Sequence, residues 1–305
     1  MLHLRIITPA DRSAAVESLL TGSDAVTHVV VLPGAARSPA GDLLTCDVVR
    51  EGASRIIHGL RELGVERDGS IMLERVDTTL SAAADRAEDK VPGYGVDAVV
   101  WEEIEHTTGE ESTLSAAFLT FMIVATVIAG IGVLLDQPIL IVGAMVVGPE
   151  FGPLAAMCVG IVRRRSALVR RALVALGAGF AVAMAVTVLT TWGLDAIGLV
   201  EKADLLGPRP LTSFIWKPDA LSWVVGFLAG VAGMLSLTSA KAGTLVGVLI
   251  SVTTVPAAAN AAVALAYGVT DEAAGSALQL LINVAAIVAA GVLTLLVQRF
   301  AWRRR

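Results

Sequence analysis

The residues best suited to chemistry lie within one apolar stretch, which reads Gly148-Pro149-Glu150-Phe151-Gly152-Pro153. Each of its two prolines removes a backbone N–H donor and disturbs the carbonyl one turn earlier, so the pattern predicts a broken helix. Glu150 is the sole acidic or basic side chain within the six apolar segments described below. A charged residue at the centre of a bilayer costs about 2.5 to 3.5 kcal/mol on insertion scales, which makes such an acid a functional candidate. Glu150 is predicted either to serve ion binding or transport, or to hydrogen-bond free backbone groups of the broken helix.

Polar side chains from other apolar segments could complete a site around this break. Irregular backbone at membrane depth persists only where it is buried in protein or lines a cavity. The amide side chains could equally provide hydrogen bonds between helices. The predicted site for an ion or small polar solute comprises Glu150, Gly148, Pro149, Gly152, Pro153, Thr253, Thr254, Pro256, Asn260 and Asn283, with Gln279 as a further polar neighbour.

Transmembrane helices are the elements that would position these residues. Of the 305 residues, 55% are hydrophobic and only 17% are charged, and the mean hydropathy is +0.74. Ordinary soluble domains do not have this balance. A bilayer core about 30 Å thick requires about 20 mostly apolar residues per helix. Six stretches qualify, at 114–135, 138–162, 172–194, 221–240, 243–267 and 276–297. The predicted fold class is therefore an α-helical polytopic membrane protein with six transmembrane helices.

The connections between these spans differ in charge. Those assigned to the inside carry ten Lys and Arg, whereas those assigned to the outside carry three, Lys202, Arg209 and Lys217. This positive-inside pattern predicts that both termini are cytoplasmic. The N-terminal residues lack the features of a signal peptide, which agrees with this orientation. The long outer connection, 195–220, contains prolines and aromatic residues and is expected to be ordered.

The second and fifth spans are similar to each other. Pro153 follows Gly143 by ten residues in the second span, and Pro256 follows Gly247 by nine in the fifth. Each span is the middle helix of a group of three, and because three is odd, a second copy enters the membrane from the opposite side. The pattern predicts an inverted 3+3 repeat around a midplane site. The alternative is that small residues and prolines recur in membrane helices by chance.

An acidic region precedes the spans, since residues 1–112 hold 10 Lys and Arg against 20 Asp and Glu. Strand-like alternation and helical spacing follow each other here in the order βαββαβ, which is that of an α+β ferredoxin-like domain. The loop 33–42 is predicted to be rich in turns. Strands are predicted at 2–8, from Val26, from Leu43 and at 70–76, and helices at 11–20 and 53–63. The predicted domains are a cytoplasmic ferredoxin-like domain (1–76), an amphipathic helical connector (77–112) and a six-helix transmembrane domain (113–305).

Several classes of function are disfavoured. Nucleic acid is not an expected partner of this acidic region, because binding phosphates requires clustered Lys and Arg. Cys46 and Cys158 are far apart and are expected to be buried, without a disulfide or a zinc site. His3, His28, His58 and His106 fall on different predicted elements, which disfavours a metal or catalytic role. The spans contain no histidine and no paired carboxylates, so no enzymatic activity, metal or cofactor is expected.

Four segments together carry a family resemblance. They are DAVVWEEIE (97–105), EESTLSAAFLTFM (110–122), GVLLDQPILIVGAMVVGPEFGPLAA (132–156) and GVLISVTTVPAA (247–258). The chain resembles the prokaryotic membrane family called domain of unknown function 389. In that family the second span is close to GAM-I-S-P-L-M-G-P, so Gly148 replaces a serine and Glu150 replaces a leucine. The fifth span often has two prolines, of which this chain has Pro256. The resemblance implies this architecture and a place in the plasma membrane of a prokaryote, and it brings no activity with it.

Two functions remain in view. The paired broken helices and the buried acid favour a transporter or channel for an ion or small polar solute, with Glu150 changing its protonation during the cycle. The alternative is a sensor or scaffold, anchored in the lipid bilayer, whose cytoplasmic domain binds a ligand or partner. Small residues in the third and fourth spans allow close helix approach within a subunit or in a homo-oligomer.

Overall fold

The computed structural model describes residues 1–76, 78–91, 98–239 and 253–303. Most of these residues are helical, and a small antiparallel sheet lies near the N-terminus. The chain folds into two compact units. Met1–Ile104 account for nearly all of the first, and Glu105–Leu237 with most of the following residues account for the second.

The first unit is built on a four-stranded sheet in the order β2-β3-β1-β4. β1 is central and pairs antiparallel with β3, from Leu2 opposite Val48 to Thr8 opposite Asp42, and with β4 on its other side. The elements are β1 (Leu2–Thr8), α1 (Ala10–Thr21), β2 (Val26–Arg37), β3 (Ala40–Val48), α2 (Arg50–Glu62), α3 (Val65–Asp68), β4 (Ser70–Arg75) and α4 (Ala82–Lys90). α5 (Trp101–Glu111) contains the boundary between the two units.

Alternation along the strands separates the two faces of this sheet. Leu2, Leu4 and Ile6 are fully buried, because successive side chains of a strand point to opposite faces. They pack with the apolar stripe of α2, to which Ile56 and Leu60 belong. α1 and α2 cover this face of the sheet, and residues of the opposite face such as His3 and Arg5 are half-buried or exposed.

The hairpin between β2 and β3 corrects one prediction. The sequence predicts a turn-rich loop over 33–42, but β2 continues to Arg37 and β3 begins at Ala40. The register shifts between Leu32 and Ala36, so the Pro33-Gly34 pair forms a bulge within the hairpin rather than its turn. Gly34 has φ +64°, which a glycine adopts at little cost, and its N–H donates to Asp42.

The second unit is helical. Its elements are α6 (Ala116–Leu134), α7 (Pro138–Val147), α8 (Phe151–Arg163), α9 (Ser166–Ala196), α10 (Lys202–Leu206), a 3-10 turn (Ser213–Ile215), α11 (Ala220–Thr238), α12 (Thr254–Ala266) and α13 (Thr270–Arg303). In the described part of the chain, four of these helices are long and apolar enough to cross a membrane, and α7 with α8 makes a fifth if the bent pair is one span. The length and apolar composition of these helices are compatible with a multi-pass membrane protein.

The break predicted in the second span lies between α7 and α8, whose axes differ by 52°. α7 ends at Val147, and Gly148 is extended with ψ 132°, as a residue before proline prefers. Pro153 lies in the first turn of α8, where its missing N–H leaves no helical bond unmade. The two prolines therefore end one helix and begin the next.

The fifth predicted span is described only in its second half. α12 begins at Thr254 and contains Pro256 in its first turn, so this proline also marks a helix start. Gly247, on which the comparison of the second and fifth spans depends, lies outside the described residues.

Candidate functional site

Glu150 stands at the break between α7 and α8 and is only 4% exposed. Its Oε1 accepts a hydrogen bond of 2.7 Å from the Thr254 hydroxyl, at the start of α12. Its Oε2 is buried and has no hydrogen-bond partner among the described residues. Since a buried carboxylate oxygen is costly to leave unpaired, this oxygen is the position at which a cation, a proton or a polar solute would be stabilised.

Gly148 makes room for this carboxylate. A Cβ atom on Gly148 would collide with Glu150 Oε2 and would lie 2.9 Å from Cγ2 of Val255. The side chain of Glu150 therefore folds back over the residue two positions before it, beside the start of α12. Glycine is required here by close approach, because no other residue leaves that space empty.

A second pair of side chains continues from Thr254 toward α13. Asn283 Nδ2 donates to the Thr253 hydroxyl at 2.9 Å, and Gln279 Nε2 donates to Asn283 Oδ1 at 3.4 Å. Gln279 Oε1 is buried and has no partner in the part of the structure described. The structure thus brings Glu150, Thr253, Thr254 and Asn283 together, four of the residues predicted to form the site.

The remaining predicted residues have other positions. Asn260 lies six residues beyond Thr254 on α12 and belongs to a separate polar cluster, described below. A Cβ on Gly152 would meet the side chain of Glu111 at 2.6 Å, so Gly152 is packed against the end of α5. Pro149, Pro153 and Pro256 contribute through the backbone, as residues that end or begin helices.

A buried ion pair that joins the connection 195–220 to α13 was not predicted from the sequence. Arg209 Nη2 donates to Glu272 Oε1 at 2.5 Å, and Arg209 Nη1 donates to Asn260 Oδ1 at 3.2 Å. Asn260 also donates to Glu272 at 3.0 Å and to the Ser276 hydroxyl at 2.7 Å. Arg209 and Glu272 are 8% and 5% exposed. In the sequence, Arg209 resembles the other cations of the outer connection, so no local signal distinguishes it.

A cavity of about 230 Å³ reaches the Thr253–Asn283 pair. Its rim carries charge, with Lys217 and Asp219 on the residues that precede α11. The Ser222 backbone N–H and hydroxyl bind Asp219 and lower the pKa of its carboxyl group. The lining residues are Phe214, Lys217, Asp219, Leu221, Ser222, Val225, Gly226, Thr253, Gln279 and Asn283. The cavity therefore leads from charged groups to the polar side chains next to the buried acid.

Metal binding has no support in the described ranges, where no group of three or more His, Cys, Asp and Glu side chains could hold an ion. Cys46 and Cys158 are both free and buried, as the sequence predicts.

Comparison with known families covers nearly half of the chain. The model of the family described as domain of unknown function (DUF389) matches residues 145–289. This part of the chain is a DUF389 domain. The match confirms the resemblance stated from the sequence, and the DUF389 domain contains Glu150 and every other residue of the predicted site. No curated protein and no solved structure matches the chain.

Proposed function

We propose that the helical unit transports or conducts an ion or small polar solute through a site at Glu150. The observation that carries this proposal is the Glu150 carboxylate, which is buried at a helix break. One oxygen is bound to Thr254, and the other has no hydrogen-bond partner among the residues that the structure describes. Intramembrane acids are costly and are typical of ion and proton pathways. Binding an ion or solute at Glu150 requires no bond to be made or broken, so we propose transport rather than catalysis for this unit.

The polar cavity supports a route to this acid. It joins Lys217 and Asp219 to Thr253, and Thr253 is adjacent in the chain to the hydroxyl donor of Glu150. A solute that enters past the charged rim would meet the amides of Gln279 and Asn283 first. The unpaired oxygen of Gln279 could replace part of its hydration shell.

The finer architecture belongs to the same proposal. We infer six spans, with the α7–α8 pair as the second and α12 completing the fifth, in the plasma membrane of a prokaryote with both termini cytoplasmic. The excess of Lys and Arg in the connections on one side supports this orientation. Helix starts at Pro153 and Pro256 support an inverted 3+3 repeat, and the strand order β2-β3-β1-β4 supports a ferredoxin-like fold for the first unit.

Purified protein in proteoliposomes tests the proposal. A membrane potential is imposed at several pH values, and its dissipation is recorded with a voltage-sensitive dye. We expect dissipation by the wild type and its loss in Glu150→Gln. The matched control is Glu110→Gln, the same chemical change at a side chain that is 74% exposed, which should retain wild-type flux.

Thr254→Val provides a second test, since it removes the hydroxyl that donates to Glu150 Oε1 but keeps the side-chain shape. The flux of this variant should be smaller than that of the Glu110→Gln control, and its pH dependence should differ from that of the wild type. Equal flux in wild type and Glu150→Gln would remove Glu150 from the mechanism. Absence of flux in folded wild-type protein would favour the sensor or scaffold function.

A further inference from the structure

Two histidines that are distant in the sequence meet at one carboxylate in the first unit. His3 Nδ1 and Asp47 Oδ1 are 2.8 Å apart, and His28 Nδ1 and Asp47 Oδ2 are 2.7 Å apart. The other ring nitrogen of His28, Nε2, lies 2.8 Å from the Ser81 hydroxyl oxygen. A serine, a histidine and an aspartate are therefore connected in the order required for nucleophilic catalysis.

The elements hold these side chains in place. Asp47 is in β3, opposite His3 of β1 and Thr27 of β2. His28 follows Thr27 at an irregularity in the β2 register and has φ +52°. A non-glycine residue rarely adopts this conformation, and such strain is concentrated at functional sites. Here the strained backbone coincides with an imidazole ring that bridges Asp47 and Ser81.

The hydrogen bonds give each group a definite role. The Asp47 carboxylate accepts from Nδ1–H of His28, so Nε2 is left as the acceptor for the Ser81 hydroxyl. Burial raises the pKa of Asp47, but the hydrogen bonds from His3 and His28 together outweigh it, so the pKa is lowered overall. Asp47 is consequently an anion that can stabilise a positive charge on His28.

Ser81 is also placed where negative charge is stabilised. It is the N-cap of α4, and its hydroxyl oxygen accepts from the backbone N–H groups of Ala83 and Ala84 at 3.2 and 3.4 Å. The N-terminus of a helix carries a partial positive charge. In the free site these donors bind the Ser81 oxygen itself. Once that oxygen is bonded to the acyl carbon, they lie beside the position at which the oxyanion forms.

Exposed apolar groups extend along the sheet from His28. Val30 and Leu32 are 47% and 48% exposed. They pair with Thr45 and Leu43, which share a face of β3 with Asp47. An apolar acyl group could lie on these side chains while its carbonyl carbon approaches Ser81. We propose that Ser81, His28 and Asp47 form a hydrolase site for small carboxylic esters with an apolar acyl chain. This site is independent of the proposed transport function.

The reaction balances with water as the second substrate. The Ser81 oxygen bonds to the ester carbonyl carbon while its proton passes to His28 Nε2. The tetrahedral intermediate releases the alcohol, which takes that proton, and leaves an acyl ester on Ser81. Water then gives a proton to His28 Nε2 and attacks this ester. The carboxylic acid leaves, and the proton returns to Ser81.

The test uses the full-length protein in detergent micelles with two probes, a fluorophosphonate and p-nitrophenyl butyrate. Mass spectrometry should locate the fluorophosphonate on Ser81, at a rate at least about 100-fold above that on Ser115. Ser115 is the matched control because it caps α6 in the same way, through Phe118 N–H. Ester hydrolysis should be retained in Ser115→Ala and lost in Ser81→Asn, in which asparagine preserves the N-cap.

Three further variants separate catalysis from folding. His28→Gln should abolish labelling, whereas His58→Gln, at a histidine that is 73% exposed, should not change it. Asp47→Asn should lower kcat by about 100-fold or more with KM unchanged, because Asp47 positions His28 without touching the ester. Unfolding temperatures are recorded for all variants. Labelling of Ser81 no faster than Ser115, or labelling that survives His28→Gln in folded protein, would overturn the proposal.

Discussion

Gly148 and Glu150 depend on each other at the helix break. The carboxylate occupies the space in which a side chain at position 148 would have to lie. Gly143, on the preceding helix α7, has free space around it, since a Cβ there would meet no atom within 4 Å. These two glycines of one span thus differ in what surrounds them, and substitution by alanine distinguishes their roles.

Gly148→Ala is expected to lower the free energy of unfolding by about 1 to 3 kcal/mol, because the new methyl group overpacks the site and displaces Glu150. It should also reduce flux. Gly143→Ala should be neutral or stabilising by up to about 1 kcal/mol, since alanine favours a helix. Chemical unfolding in detergent measures both. Equal stability of the two variants would contradict the close packing of Glu150 over Gly148.

The site residues could be predicted from sequence to different extents. The Glu150 break follows from local rules, since two prolines and one acid stand within six apolar positions. The convergence of His3 and His28 on Asp47 does not, because it depends on strand pairing and a register irregularity. Periodicity describes which face a residue occupies, and it does not identify the residue opposite.

Long-range contacts between side chains hold the connection 195–220 in place. Arg209 reaches Glu272 in the first turn of α13 and Asn260 in α12, and the Thr212 hydroxyl donates to Asp136 at 2.8 Å. The prolines and aromatic residues of this connection predict an ordered segment at the membrane interface, and α10 and the 3-10 turn confirm the order. Its anchors could not be predicted, because they are polar contacts over long sequence separations.

Arg209→Met should destabilise the protein by about 3 to 5 kcal/mol, because it leaves Glu272 buried without its cation. The double variant Arg209→Met with Glu272→Met should lose less unfolding free energy than the sum of the losses in the two single variants. Thermal unfolding in detergent completes this double-mutant cycle. Additive losses would show that the two side chains are not coupled.

An ion pair at the short helix α3 predicts that the stability of the first unit depends on pH in the acid range. Hydrogen bonds from Arg67 and Arg12 lower the pKa of Asp68 from 3.8 to about 2. The folded pKa lies below the unfolded one, so this stabilisation is present above about pH 4 and is lost as the pH falls toward 2. Hydrogen exchange in the sheet should accelerate over that range. Asp68→Asn should flatten this dependence, whereas Asp89→Asn, at the exposed end of α4, should leave it unchanged.

Lys and Arg are concentrated in the connections on one side of the spans. The membrane orientation that this asymmetry predicts can be tested by cysteine labelling. The two native cysteines are buried, so the labelling of introduced cysteines can be detected against a low background. In intact cells, a membrane-impermeant maleimide should modify Lys202→Cys, in the connection assigned to the outside. Arg170→Cys should react only after permeabilisation, as the positive-inside rule predicts. The reverse pattern would invert the proposed orientation.

The broken second span also imposes an order on synthesis. α7 has 10 residues and α8 has 13, and each is shorter than the roughly 20 residues that a bilayer requires. In the proposed six-span architecture, the translocon must therefore accept them together, with Glu150 between them. The hydroxyl that binds this acid belongs to a residue 104 positions later. At about 5 to 20 residues per second, the ribosome adds it about 5 to 20 s afterwards, so Glu150 enters the membrane before its partner exists.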